Sequence, residues 1–383
     1  MERGKGMKLD LLIKNGVLVE PGYPPVKSDM GVSCGRIVRN TSGAEAATVV
    51  EAEGCYVTPG LIDCHVHIFE GCGVSSVNPD MVFLPNGVTT GIDAGTAGVS
   101  TYQLFSKTVM KTSVSTVKAY LHPSPTGLAA IKYFPEPVDP KLFDHKAIID
   151  CVKRFRDEIV ALKIRISKNV TGQWGLKPLE AAVAIGEEAG LPVAVHTTDP
   201  AADVDEVLKV LRKGDIYSHC FNGRGDTIVG GDGRLKPCVY RAREKGIIFD
   251  TADGISHFSF KIARQALSES FLPDCISTDL IDRSMYKSPV YAMPYIISKY
   301  LALGVSVEEA VMATTLAPAK AFGLKGMGTL QDGSSADIAI LQIKEKRVVF
   351  SDADGDSFIG NRLAVPQMTI KNGVIVYRQM EFI

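Results

Sequence analysis

The stretch PGLIDCHVHIFEGCG, from Pro59 to Gly73, runs from an apolar Gly-Leu-Ile-Asp segment into two histidines one residue apart, His65 and His67. In a β-strand, residues i and i+2 point to one face, so both imidazoles project together. Two neutral imidazoles side by side begin a metal site. A chance pairing is the competing reading, and the surrounding chain decides between them.

Outward from this stretch, the strand that carries the pair is the first of a series. Short β-rich runs occupy 60–68, 89–95, 116–122, 160–167, 192–197, 215–221, 246–254 and 275–280. Amphipathic stretches fill the gaps, among them PLEAAVAIGEEAG (178–190) and AADVDEVLKVLRKG (201–214). The second closes on Lys/Arg and then Gly, the signature of a helix stop. Eight strand–helix alternations predict parallel βα units closing into a (β/α)8 TIM barrel over 59–326. An open doubly wound sheet is the alternative, but no Gly-x-Gly-x-x-Gly opens a helix after the first strand.

Both chain ends carry one phrase, LLIKNGVLVEPG (11–22) and MTIKNGVIVYRQ (368–379), with β-branched residues flanking Asn-Gly. Asn-Gly in that setting is the strongest two-residue hairpin signal. With LQDGSSADIAILQ (330–342) adding a turn and strand, the ends predict a small β-sandwich-like domain built from 1–58 and 327–383.

Composition narrows the function classes. The 383 residues hold 42 basic and 43 acidic side chains, a net charge of −1, so there is no electrostatic case for nucleic acid or an anionic membrane. No apolar run is long enough to span a bilayer. The N-terminal MERGKGMKLDLLIKNG lacks the apolar core of a signal peptide, and residues 1–6 read as a tail ahead of Met7. Eight cysteines without any Cys-x-x-Cys are expected as buried, reduced thiols in a cytoplasmic protein.

In a TIM barrel the chemistry sits where the strands end. His65 and His67 end the first strand, Lys163 lies in the fourth, His196 ends the fifth, His219 the sixth and Asp279 the eighth. Strict alternation turns Cys64 and Val66 toward the outer helices, which makes Cys64 and Cys220 packing residues. It also puts Lys163 and Arg165 on the lumen face. A lysine inside an apolar barrel must shed its charge or find an anionic partner; as a neutral amine it can also add carbon dioxide, giving a carbamate able to bridge two metal ions. Asp279 reads as a helix N-cap or as a catalytic carboxylate, and its place beside Ser277 on the inward face favours the second.

PGLIDCHVHI, the strand-four lysine, the single histidines ending strands five and six, STDL and GTLQDGSSADIAIL together resemble the amidohydrolase superfamily. SHCFNGRGDTIVGGDGRLKP (218–237) and the long phrase from ISTDL to AFGL (276–324) resemble its dihydroorotase-like amidohydrolase/deacetylase group. The resemblance implies that His65 and His67 hold one metal with Asp279. His196 and His219 would hold the other, and carboxylated Lys163 would bridge the two ions, with zinc the first expectation. It further implies hydrolysis of an amide or ester by a metal-bridging hydroxide, with Asp279 moving the proton.

For the substrate the resemblance implies an N-acyl amino acid or acyloxy acid whose carboxylate is clamped by Arg165 and Arg224, beside Asn222. Structural or solvated roles for the two arginines are the alternatives. Three positions depart from the group. Asp253 stands in ADG where Gly-His-Gly is expected, Ile281 follows STDL where histidine is common, and His122 replaces a different polar residue. Asp253 and His122 are expected as a changed specificity wall. A cyclic amidase of dihydroorotase or hydantoinase type and a non-catalytic barrel relative are the other readings, and homo-oligomerisation is compatible with the family.

Overall fold

The computed structural model describes residues 7–382; the tail read at 1–6 lies outside them. Seven parallel strands lie side by side in chain order: β1 (Leu61–Val66), β2 (Val88–Ala94), β3 (Thr116–Leu121), β4 (Ile159–Arg165), β5 (Val193–His196), β6 (Ile216–Ser218) and β7 (Ile248–Asp250). β1 and β2 are buried along their whole length, as parallel strands covered on both faces must be. Leu162, Ile164, Val193, Val195, Tyr217 and Phe249 pack outward in the main core, which takes in the covering helices. Ala161, Ala194 and Ile216, on the other face, pack with Ile92, Tyr120 and Phe322 in a second cluster that fills the lumen floor.

The eighth run, 275–280, is not a continuous strand. It closes the ring through two isolated parallel bridges, Asp250 to Cys275 and Val66 to Leu280. Its Ser-Thr-Asp centre turns the ladder aside. Thr278 N–H and Oγ1 both donate to the Asp63 carboxylate, at 3.1 and 2.6 Å, and Asp279 has a φ of 47°.

Strict alternation also fails in β1. The register against β2 slips between Asp63 and Val66, so Cys64 faces the lumen floor with Ile62 while Val66 faces outward. Cys64 is a packing residue, as expected, but inside the barrel rather than outside it. Cys220 packs in the outer core.

Of the two helices read from sequence, one spans Lys177–Ala189 and ends at Gly190, left-handed with φ 63°. The other is shorter than expected, Val204–Val210. Asp215 accepts hydrogen bonds from the backbone N–H of Arg212 at 2.6 Å and from its Nε at 3.1 Å, which draws the chain out of the helix. No helix among the described residues is long and apolar enough to cross a membrane.

The chain ends share a six-stranded sheet ordered Val374–Arg378, Ser357–Lys371, Ile338–Ser351, Tyr56–Pro59, Val17–Leu18, Val26–Lys27. A four-stranded sheet that includes Lys8–Lys14 and Glu45–Glu51 packs against it over Leu11, Ile13, Val32, Ile338 and Ile370. Asn372 and Gly373, with φ 49° and 82°, make the expected two-residue hairpin. The matching Asn15-Gly16 does not. Lys8–Lys14 and Val17–Leu18 belong to different sheets, and Gly16 is the crossing point, where an added Cβ would meet Val57 at 2.5 Å.

Candidate metal centre

Two donor clusters stand at the C-terminal end of the barrel. His65, His67 and Asp279 offer ligand atoms within 4.8 Å of one another, and so do His196, His219 and His257. Lys163 stands against the first, its Nζ 2.9 Å from His65 Nε2, and lines the same cavity as His196. Gly95 makes room for it: with φ 86° just past β2, an added Cβ there would lie 2.6 Å from Lys163 Cβ.

Second partners orient the imidazoles. His65 Nδ1 faces the Asp250 carboxylate at 3.2 Å, His67 Nδ1 faces Thr96 Oγ1 at 2.8 Å, and His219 Nδ1 faces the Ala252 carbonyl at 2.7 Å. A carbonyl only accepts, so His219 carries its proton on Nδ1 and turns a bare Nε2 inward. The Nε2 atoms of His196 and His219 are buried and have no hydrogen-bond partner. Such atoms are costly to bury unless something completes them, and a divalent cation does.

Burial decides the charges. It pushes His196 and His219 well below the usual imidazole range and His65 downward, so all three are neutral and fit to ligate. Burial also lowers Lys163, to about 8, against the opposing pull of Asp279 and Glu136. Asp279 is pushed up by burial, but the imidazoles of His67, His65 and His257 outweigh that and hold it below the usual carboxylate range.

An inner chamber of about 150 Å³ is lined by His65, His67, Lys163, Arg165, His196 and Asp279. An adjoining outer chamber of about 490 Å³ shares Arg165, His257, Asp279, Ile281 and Arg283 and adds Arg224. A family model described as the amidohydrolase family matches residues 56–376. The chain belongs to the amidohydrolase family.

The amidohydrolase is 34% identical over 321 residues to a deacetylase of Brucella anthropi, covering 84% of this chain and 80% of that relative. A crystal structure of an adenine deaminase matches it with TM-score 0.89 and 31% identity, over 97% of this chain and 100% of the other. A crystal structure of a dihydroorotase matches with TM-score 0.87 and 31% identity, over 96% and 99%. Family and relatives together make the amidohydrolase a hydrolase.

Three residues read as substrate contacts do not reach the cavity wall. Asn222 is buried and staples its loop, donating to the His219 carbonyl at 2.9 Å and accepting from Arg224 N–H at 3.1 Å. His122 accepts from Ser124 N–H at Nδ1 and so donates from Nε2 to Glu136 at 3.1 Å; Glu136, not His122, lines the chamber. Asp253 points away from the lumen, pairing with buried Lys299 and accepting from Tyr300 Oη at 2.9 Å. The expected specificity wall of Asp253 and His122 therefore does not form. Ile281 does line both chambers.

The Asp253–Lys299 pair gives a stability prediction. Lys299 Nζ also lies 3.8 Å from the Phe258 ring centroid, and neither charge reaches water. Asp253→Ala leaves the ammonium unpaired, and urea unfolding will show a loss of about 3–5 kcal/mol. The double variant with Lys299→Met will recover most of it.

His257 and Arg283 line both chambers, and no motif in the sequence points to them. His257 lies in DGISHF, four residues beyond Asp253, where the resemblance implies a histidine, and its one signal in the sequence is that it follows a strand end. Arg283 follows STDL by three residues on the same kind of loop.

Proposed function

We propose that the amidohydrolase cleaves the amide or ester bond of an N-acyl amino acid or acyloxy acid, as a deacetylase. Two divalent ions, zinc first among them, would be held by the two donor clusters, with Lys163 carboxylated between them. The observation that carries this reading is Arg165, on one chamber wall with His65, His67 and Asp279. Its Nε donates to Ser167 Oγ at 2.9 Å and lies 4.0 Å from Glu136, which steadies the guanidinium. The planar head is then placed to take a carboxylate while the acyl group lies at the donor clusters.

When bound, the two ions supply a hydroxide near neutral pH and polarise the scissile carbonyl. The chain's own residues do the rest. Arg165, with Arg224 at the outer chamber, orients the substrate's acid end. Asp279 holds the proton of the attacking water and returns it to the leaving amine or alkoxide. The unpartnered Nε2 atoms of His196 and His219 support the metal requirement, and the Brucella anthropi deacetylase supports the reaction class.

The test is turnover by zinc-loaded enzyme of N-acetyl amino acids and O-acetyl hydroxy acids, set beside their carboxamides, dihydroorotate and adenine. Free-acid substrates are expected to lead. Turnover of dihydroorotate alone would establish the cyclic-amidase reading, which the likeness to a dihydroorotase structure favours second; turnover of adenine alone would establish a deaminase. Arg165→Met will raise KM for the free acids about 10- to 100-fold, matching a lost charge-assisted hydrogen bond of ~1.5–3 kcal/mol. The carboxamides will show little change.

A further inference from the structure

The family resemblance assigns the second ion two imidazoles and leaves the lysine to complete it, yet a third imidazole stands in that pocket. The His257 ring centroid lies 4.3 Å from that of His219 and 4.8 Å from that of His196. One nitrogen from each of the three rings falls within 4.8 Å of the other two. Resting on the metal-dependent reading above, we infer that His257 is a direct ligand of the second ion, which makes that site a three-imidazole site.

The hydrogen bonding around the ring leads to this assignment. His257 Nδ1 faces Thr198 Oγ1 at 2.8 Å, a hydroxyl able to accept its proton. Nε2 lies 3.6 Å from Asp279 Oδ2, too far for a hydrogen bond. The tautomer protonated on Nε2 therefore leaves that proton without an acceptor. The tautomer protonated on Nδ1 satisfies Thr198 and leaves Nε2 a free lone pair, in a ring that stands beside those of His196 and His219 with their bare Nε2 atoms.

The loop is built to hold this position. Asp253 is anchored to Lys299 and Tyr300 on one side of it, and Ser259 N–H donates to the Phe221 carbonyl at 2.9 Å on the other. Between them Gly254 takes φ 57°, and an added Cβ there would lie 2.5 Å from Asp279 Oδ2 and 2.7 Å from His257 Cδ2. His257 is thus braced at the mouth of the lumen. Three neutral imidazoles are a sufficient protein ligand set for a catalytic zinc ion and leave the ion its full charge. The second ion then does not depend on carboxylation of Lys163.

The experiment is Co2+ titration of chelator-stripped protein against a competing chromophoric chelator, with the visible absorption of bound Co2+ as a second readout. It uses the unsubstituted chain, His257→Ala and His257→Asp. His257→Ala is expected to weaken one of the two ions at least tenfold and to change its absorption, leaving the ion at His65, His67 and Asp279 as it was. His257→Asp, with a carboxylate that can ligate, will restore tight binding with a different spectrum. It also carries the test if the alanine variant fails to fold. Both ions bound in His257→Ala as in the unsubstituted chain, with one spectrum, overturn the assignment of His257 alone. No Co2+ bound by the unsubstituted chain overturns the metal-dependent reading itself.

Discussion

Asp279→Asn will lower kcat by about 10²- to 10⁴-fold, the scale of losing a positioned acid–base group, with KM nearly unchanged. The substitution keeps the shape of a side chain that is 12% exposed and removes its negative charge and basicity. Oδ1 lies 3.4 Å from His67 Nε2 and 3.8 Å from His65 Nε2, and Oδ2 faces His257. The backbone supports that placement: Asp279 N–H donates to the His65 carbonyl at 2.7 Å, so the carboxylate is tied to the strand that carries both histidines. No helix starts at this point, since the next one begins at Met293, and an N-cap role is removed. A purely structural aspartate would lower stability and kcat together. Steady-state kinetics alongside urea unfolding separates the two, and an asparagine variant with full kcat would remove Asp279 from the proton path.

The barrel was legible because its strands are unusually plain. Runs buried on both faces read as continuous apolar segments, and the six residues implied as ligands fall at or near the C-terminal ends of the β-rich runs whatever the details of pairing. What escaped depends on departures from regular geometry. Period-two alternation holds only while register holds, so the slip between Asp63 and Val66 reversed the side assigned to Cys64. Asn-Gly signals a turn but not its partner, and the two copies of one phrase serve as a hairpin at Asn372 and as a crossing between sheets at Asn15. His257 and Arg283 lie on loops, where no periodicity assigns a direction. Asp253 shows the same difficulty from the other side. Position in a motif placed it at the site, but Lys299 and Tyr300, 46 and 47 residues away in sequence, turn it outward.

Lys163→Ala will reduce bound divalent metal from about two ions per chain to about one and lower kcat/KM by about 10²- to 10³-fold, the scale of losing one preorganised electrostatic partner. The charges explain why one ion leaves. Two dications near each other need anionic ligands, and Asp279 is the one carboxylate in the two donor clusters. On the proposed reading a carbamate on Lys163 would supply the second negative charge, and alanine would supply none. The three imidazoles of His196, His219 and His257 keep their ion, so elemental analysis should fall to one ion, not zero. The same lysine sets a pH dependence for reconstitution. Only the neutral amine adds carbon dioxide, and burial has brought Lys163 from 10.5 to about 8. Its neutral fraction therefore rises as pH increases through 8 and falls below it. Recovery of activity by stripped enzyme given zinc and bicarbonate should accelerate from pH 7 to 9, and should stall when bicarbonate is withheld. Recovery at one rate across that range, with or without bicarbonate, would take the carbamate out of the site and leave Lys163 there as a buried amine.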